Sequence, residues 1–251
     1  SIMIPTTSGT GSESTPFAVL YQGTTKRSLS HSSMLPDVVI LDPTFLESLP
    51  SPIVASSGWD ALAQGLESFW SVHSNATSTI LSERSLRVTL TSLVDNVKNP
   101  NRTTREKMLV ASNLAGQAIA ITRTTAAHAV SYPLTAHFHI PHGYAVALTL
   151  PSFLEFNAAV DATTLQDVRG INWLTQRMKD LFAIMGVATA AQAKEKLVCL
   201  MQDTGLNTRL SQLGVTAQDL HMIVTESLGS NRMANNPRQV DRENLNHLLE
   251  K

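Results

Sequence analysis

Asp60 and Gln64 stand four residues apart in a stretch of helical periodicity, so their side chains leave the same face of one helix. That face turns toward the core when Trp59, Leu62 and Leu66 pack inward. With His128 and His142 the set becomes a carboxylate, an amide and two imidazoles, which suits Fe²⁺ or Zn²⁺ with positions left for water and substrate. Each histidine alone also suits a satisfied core or surface position, and His137 and His139, just before His142, fit a solvated loop equally. A second candidate opens the chain. Ile2-Met3-Ile4-Pro5-Thr6-Thr7-Ser8-Gly9-Thr10-Gly11-Ser12-Glu13 joins an apolar strand to glycines and hydroxyls. Glycines let a ligand approach the backbone, and N–H groups with threonine hydroxyls suit nucleotide phosphate or ribose. The same composition serves a plain strand-to-turn connection. The stretch is neither a Walker loop nor G-x-G-x-x-G.

The elements that must position these residues differ along the chain. β-type runs at 1–5, 17–21 and 38–41 are separated by Gly, Ser and Thr turns. Beyond Pro50 and Pro52 the periodicity is helical. Ser56 or Ser57 is placed to cap a helix carrying Leu62, Leu66 and Phe69, and 78–97 continues the pattern. Thr103-Thr104-Arg105-Glu106 resembles a capping box opening a helix through Ala118. Further helices are expected near 124–138, 142–156, 173–184, 190–203, 217–228 and 241–249, with Pro133 and Pro151 kinking or ending theirs. The expectation is a mainly α chain: a short β-containing N-terminal part over 1–50, then an all-helical domain over 51–251.

The 251 residues carry 19 basic and 20 acidic side chains, a net charge of −1, which leaves no electrostatic footprint for nucleic acid or an anionic membrane. Hydrophobic residues at 43% and charged residues at 16% exclude a disordered chain. No uncharged apolar run approaches the roughly 18 residues of a membrane span. A single cysteine, Cys199, forms no internal disulfide. Composition therefore points to a soluble cytoplasmic enzyme or binding domain with a small-molecule ligand.

Three passages taken together resemble one family: Ile4-Pro5-Thr6-Thr7-Ser8-Gly9-Thr10-Gly11-Ser12-Glu13, then Gly58-Trp59-Asp60-Ala61-Leu62 with Glu67, then Ile140-Pro141-His142-Gly143. Their order and spacing resemble the iron-containing (group III) alcohol dehydrogenases, and Val39-Ile40-Leu41-Asp42-Pro43 and Asn236-Pro237-Arg238 extend the likeness over nearly the whole chain. The resemblance implies a dinucleotide-binding α/β domain followed by a helical domain of the dehydroquinate synthase-like type. Metal and substrate would lie in the cleft between them. It also implies that this chain begins inside the N-terminal domain, at its last strands, without the Gly-Gly-Gly-Ser phosphate loop that the family carries upstream. Asp60, His128 and His142 fall on family metal ligands. Gln64 stands where the family has a fourth ligand, a histidine; an amide is the poorer ligand, so the resemblance implies either a three-ligand site or weakened metal retention, with zinc gaining on iron. Tyr132 takes the position of a family histidine near the nicotinamide, where its phenol could donate or relay a proton or simply pack. Thr6, Thr7, Ser8 and Thr10 match positions that contact NAD or NADP. Lys26 matches a lysine near the cofactor ribose, with Arg27 as the alternative. The family also suggests a homodimer.

Thr122-Arg123-Thr124-Thr125-Ala126-Ala127-His128-Ala129-Val130-Ser131-Tyr132-Pro133-Leu134-Thr135 and Glu67-Ser68-Phe69-Trp70-Ser71-Val72 resemble the phosphonoacetaldehyde reductase branch, as does Gln64. Arg123 and Thr124, just upstream of His128, offer charge and a hydroxyl for a dianionic phosphonate; a surface ion pair is the other use for Arg123. The expected reaction is metal-dependent hydride exchange between NAD(P)H and a small aldehyde or primary alcohol. A generic alcohol dehydrogenase, a dehydroquinate-synthase-like lyase and a non-catalytic helical domain remain the alternatives.

Overall fold

The structure, a computed structural model, describes the backbone of residues 1–22 and 25–250 and their side chains outside 21–28. Four short strands come first. β1 (Ile2–Met3) pairs in parallel with β4 (Val38–Val39), and β2 (Phe17–Gln22) pairs antiparallel with β3 (Thr25–Ser30), Phe17 facing Ser30. The strand at β3 lies outside the three runs expected. Nine α-helices follow among the described residues: α1 (Ser51–Trp70), α2 (Ala76–Lys98), α3 (Arg102–Thr122), α4 (Ala126–Phe138), α5 (His142–Ala158), α6 (Ile171–Met185), α7 (Ala190–Asp203), α8 (Leu220–Leu228) and α9 (Arg242–Leu249). No helix among the described residues is long and apolar enough to cross a membrane.

α1 is the central element, packed against α2, α3 and α5. Trp59, Leu62, Leu66, Phe69 and Trp70 are fully buried along it, and full burial of such side chains contributes about 1.5–3 kcal/mol each. Burial on every side also takes in Asp60, Gln64 and Glu67. α1 begins at Ser51 rather than at Ser56 or Ser57, because Pro52 is accommodated in a first turn whose N–H groups have no helical partner anyway. Ser56 does cap a helix, but across the packing: its hydroxyl accepts the backbone N–H of Tyr144 at the start of α5, 3.2 Å away, where the side chain of Pro141 at the N-cap offers no acceptor.

The other helix starts are corrected in the same way. α2 is opened by an Asn75–Ser78 capping box and α3 by Asn101–Thr104, not by Thr103 and Glu106. Glu106 instead accepts from Arg102 Nε at 2.9 Å on the exposed face. Pro133 and Pro151 sit inside α4 and α5 without ending either. Each removes one helical hydrogen bond, and the buried packing of both helices outweighs that loss.

Candidate metal centre

Three helices converge on one buried point. Asp60 comes from the middle of α1, His128 from the first turn of α4 and His142 from the first residue of α5. One ligand-capable atom from each lies within 4.8 Å of the others. Asp60 and His128 are almost wholly enclosed and His142 is half-buried. His128 Nε2 stands 3.2 Å from Asp60 Oδ1, and the two imidazoles meet edge to face at 5.3 Å.

The close approach of α5 to α1 depends on Gly143. A Cβ there would lie 2.0 Å from Ser56 O and 2.8 Å from Asp60 Cβ, so only glycine lets His142 come down beside Asp60. The order Pro141-His142-Gly143 thus has a packing reason: proline turns the chain into the helix, histidine faces the centre, and glycine allows the contact.

Glu67, seven residues after Asp60 and two turns along the same face of α1, is fully buried. Its Oε2 pairs with His128 Nδ1, while Oε1 accepts from the Thr125 hydroxyl at 2.7 Å and the His128 backbone N–H at 3.3 Å. Trp70 Nε1 donates to the same Thr125 hydroxyl at 3.1 Å. One carboxylate therefore caps the N-terminus of α4 and orients the imidazole that α4 presents. A proton on Nδ1 leaves Nε2 directed at Asp60 and the centre. Sequence reasoning gave Glu67 no role; its signal was the seven-residue spacing from Asp60.

The electrostatics follow from burial. Burial pushes the Asp60 carboxyl up, but the His128 hydrogen bond and the charges of His142 and His128 outweigh it and hold Asp60 below the usual carboxylate range. Glu67 is lowered likewise, burial being overcome by His128 and the Thr125 hydrogen bond. For His128, burial favours the neutral ring, yet Glu67 and Asp60 raise its pKa above the ordinary value. Two buried carboxylates around these imidazoles leave an excess of negative charge that a divalent cation would balance. Gln64 adds a second sign of fit. Its Nε2 donates to Thr10 O at 3.1 Å, and its Oε1 is buried with no hydrogen-bond partner. A buried amide oxygen without a donor is costly unless something electropositive faces it.

The glycine-rich turn lies against this centre through the same Gln64–Thr10 bond. Its glycines are used for packing: a Cβ on Gly9 would meet Ser57 of α1, and Gly11, at φ 55°, sits against Gly116 of α3 with 2.6 Å for any added Cβ. Thr6 and Thr10 are exposed, Thr7 is half-buried and Ser8 is buried; Thr10 Oγ1 pairs with Ser12 Oγ at 3.1 Å. Lys26 lies on β3 opposite Tyr21, and its side chain falls outside the described residues.

Tyr132, one turn after His128, stacks on His142 with ring centroids 6.1 Å apart and 16° between planes. Its hydroxyl accepts from Arg232 Nε. Burial raises the phenol's pKa, against the lowering effects of Arg232 and Thr124. Arg123 ends α3 and is directed elsewhere: its guanidinium lies over the Phe17 ring, 3.8 Å from the centroid, and donates to Ser30 Oγ at 3.1 Å. Thr124 is buried, and its side chain hydrogen-bonds Tyr132. Arg232, which lies in a short 3-10 turn at Asn231–Asn235, carried no sequence signal, since it follows no motif and its partner is 100 residues away.

Residues 54–251 match the model of the Fe-containing alcohol dehydrogenase family, C-terminal, and residues 1–43 match that of iron-containing alcohol dehydrogenase. The chain is 34% identical to phosphonoacetaldehyde reductase of Streptomyces viridochromogenes over 99% of its own length and 62% of that protein's. It is 31% identical to sulfoacetaldehyde reductase of Bilophila wadsworthia, over 99% of this chain and 65% of the relative. Among solved structures, sulfoacetaldehyde reductase from Bifidobacterium kashiwanohense in complex with NAD+ superposes with a TM-score of 0.86 at 30% identity, covering 99% of this chain and 63% of that one. The chain thus spans a little over three fifths of the length of these relatives. With matches over both its strands and its helices, the chain belongs to the iron-containing alcohol dehydrogenase family.

Proposed function

We propose that this chain carries the metal and substrate centre of an NAD(P)-dependent oxidoreductase that interconverts a small aldehyde and its primary alcohol. The proposed pair is phosphonoacetaldehyde and 2-hydroxyethylphosphonate. The observation that carries the reading is the buried meeting of Asp60, His128 and His142, with Glu67 behind His128 and the unpartnered Gln64 oxygen beside it. In this reading Asp60, His128 and His142 hold iron or zinc, Gln64 stands as a fourth donor, and residues 51–251 form the metal and substrate domain while 1–50 belong to the nucleotide side. When bound, the ion supplies Lewis acidity toward a substrate oxygen and the nicotinamide supplies or accepts the hydride.

The chain's own residues do the positioning. Glu67 keeps the proton on His128 Nδ1, so that Nε2 stays available to the centre. Tyr132 holds a phenol against His142 at the half-buried side, placed to give or take the proton that accompanies hydride transfer. Thr6, Thr7, Ser8 and Thr10 face the nicotinamide cofactor, with Lys26 near its ribose, and Gln64 couples that turn to the centre. Arg123 and Thr124 serve the anionic end of the substrate. The relative active on phosphonoacetaldehyde supports the substrate class.

The test is metal analysis with reduction assays. Purified protein should contain about one iron or zinc per chain and oxidise NADH or NADPH with phosphonoacetaldehyde in preference to propanal. His142→Ala should lose both ion and turnover. An ion-free wild-type protein, or a His142→Ala variant that keeps both properties, refutes the reading.

A further inference from the structure

Resting on the reading above, we infer that Arg232 is the principal anion-binding residue of the substrate site, gripping a tetrahedral oxyanion group on the aldehyde together with Arg123. The elements that carry the two arginines are tied to one another. Asn235 Nδ2 donates to Thr124 O at 2.8 Å and so ties the 231–235 turn to the connection between α3 and α4. Arg232 is then fixed by its bond to the Tyr132 hydroxyl, and Tyr132 stacks on His142. One phenol ring therefore separates the Arg232 guanidinium from the metal cluster, a span suited to a two-carbon substrate with its carbonyl at one end and its anion at the other.

Neither guanidinium is paired with a carboxylate among the described residues. The carboxylates that pair with arginine among the described residues go to Arg87, Arg102 and Arg169. Among the described residues, the side-chain contacts of Arg123 and Arg232 are with hydroxyls and aromatic faces. Their mutual repulsion adds to burial in lowering the pKa of Arg123. Two like charges within electrostatic reach of one another, with no carboxylate paired to either among the described residues, mark a place where an anion belongs. One more observation agrees. Arg123 also adopts φ 60° and ψ 171°, backbone otherwise left to glycine, a conformation costly enough to persist only where the surroundings hold it. Because Arg123 rests on Phe17 and Ser30, it supplies the outer contact and Arg232 the inner one.

Calorimetry separates this inference from the redox reading, because anion binding needs no turnover. Titrate wild-type, Arg232→Gln, Arg232→Lys and Arg123→Gln proteins with 2-hydroxyethylphosphonate, isethionate and 1-propanol. Arg232→Gln should weaken 2-hydroxyethylphosphonate about tenfold or more, the loss expected for a charge-assisted hydrogen bond. Arg232→Lys should lose less, Arg123→Gln less than Arg232→Gln, and 1-propanol should not change. The isethionate arm identifies the oxyanion: a wild-type preference for 2-hydroxyethylphosphonate assigns a phosphonate, the reverse a sulfonate, and either supports the anion site. Unchanged phosphonate affinity in Arg232→Gln overturns the inference. So does an equal loss for 1-propanol, which would make Arg232 only a support for Tyr132, or a loss confined to NADPH binding. If the wild-type protein binds these anions but reduces no aldehyde, the redox reading fails and the anion site stands.

Discussion

At the scale of single residues, Glu67 explains most of the order in the centre. It touches His128 at both the ring and the backbone, and its Thr125 bond continues to Trp70. A carboxylate in that position raises ligand basicity and restrains ring rotation. Glu67→Gln keeps the shape and one acceptor while removing the charge. It should weaken the protein's hold on iron or zinc about 10- to 100-fold, the range found for residues that support a ligand from behind. Competition against a chromophoric chelator measures this directly. An affinity within twofold of wild type would mean that Glu67 serves only as the cap of α4. Asp60 and the two histidines were legible as chemistry from their types, but their convergence came from the family resemblance and not from spacing, because 68 residues separate Asp60 from its nearest ring nitrogen partner. Glu67 was overlooked for a related reason: a carboxylate in a helix is ordinarily a solvated one, and only the burial of α1 on all sides makes it different.

Among elements, the decisive contact is α5 on α1. Gly143→Ala places a methyl group 2.0 Å from Ser56 O and 2.8 Å from Asp60 Cβ, both belonging to a buried helix that cannot yield. The N-terminus of α5 must lift, taking His142 from Asp60 and Tyr144 N–H from Ser56 Oγ. Overpacking of this kind costs roughly 1–3 kcal/mol. The melting temperature should therefore fall by about 2–12 °C, and metal affinity should fall with it. Normal stability and metal content in Gly143→Ala would show that the helix ends adapt freely. This contact also marks where reading the sequence by element succeeds and where it stops. Helix existence followed from periodicity throughout, since apolar residues at helical spacing must be buried somewhere. Helix starts did not. The cap of α5 is a serine on α1, and the caps of α2 and α3 are asparagines whose competitors Ser78, Thr103 and Thr104 are nearly as good. Caps are chosen by tertiary contact as well as by local preference. The two internal prolines make the same point, each tolerated where packing on several sides outweighs one missing bond.

Over the whole molecule, the centre joins the helices that make up the core. α1, α4 and α5 each give one residue to the cluster, and the same helices supply Trp59, Leu62, Leu134, Leu150 and Phe153 to the buried interior. An ion held by all three would bind the folded chain and not the unfolded one, so its stabilisation would be felt by the whole cooperative unit. Removing it leaves Asp60 and Glu67 buried around His128 with their negative charge only partly balanced. At an ion concentration 100 times the dissociation constant, linkage gives about 2.7 kcal/mol. In a chain of 251 residues that corresponds to a shift of about 5–11 °C. Stripping the protein with a chelator should lower its melting temperature by that amount, and Zn²⁺ or anaerobic Fe²⁺ should restore it. Asp60→Asn and His142→Ala should melt near the stripped wild type and gain nothing from added ion, which separates specific occupancy from general binding to the surface. If chelation leaves wild-type melting unchanged and neither ion raises it, the three helices meet around an ordinary buried ion-pair network and the metal assignment fails.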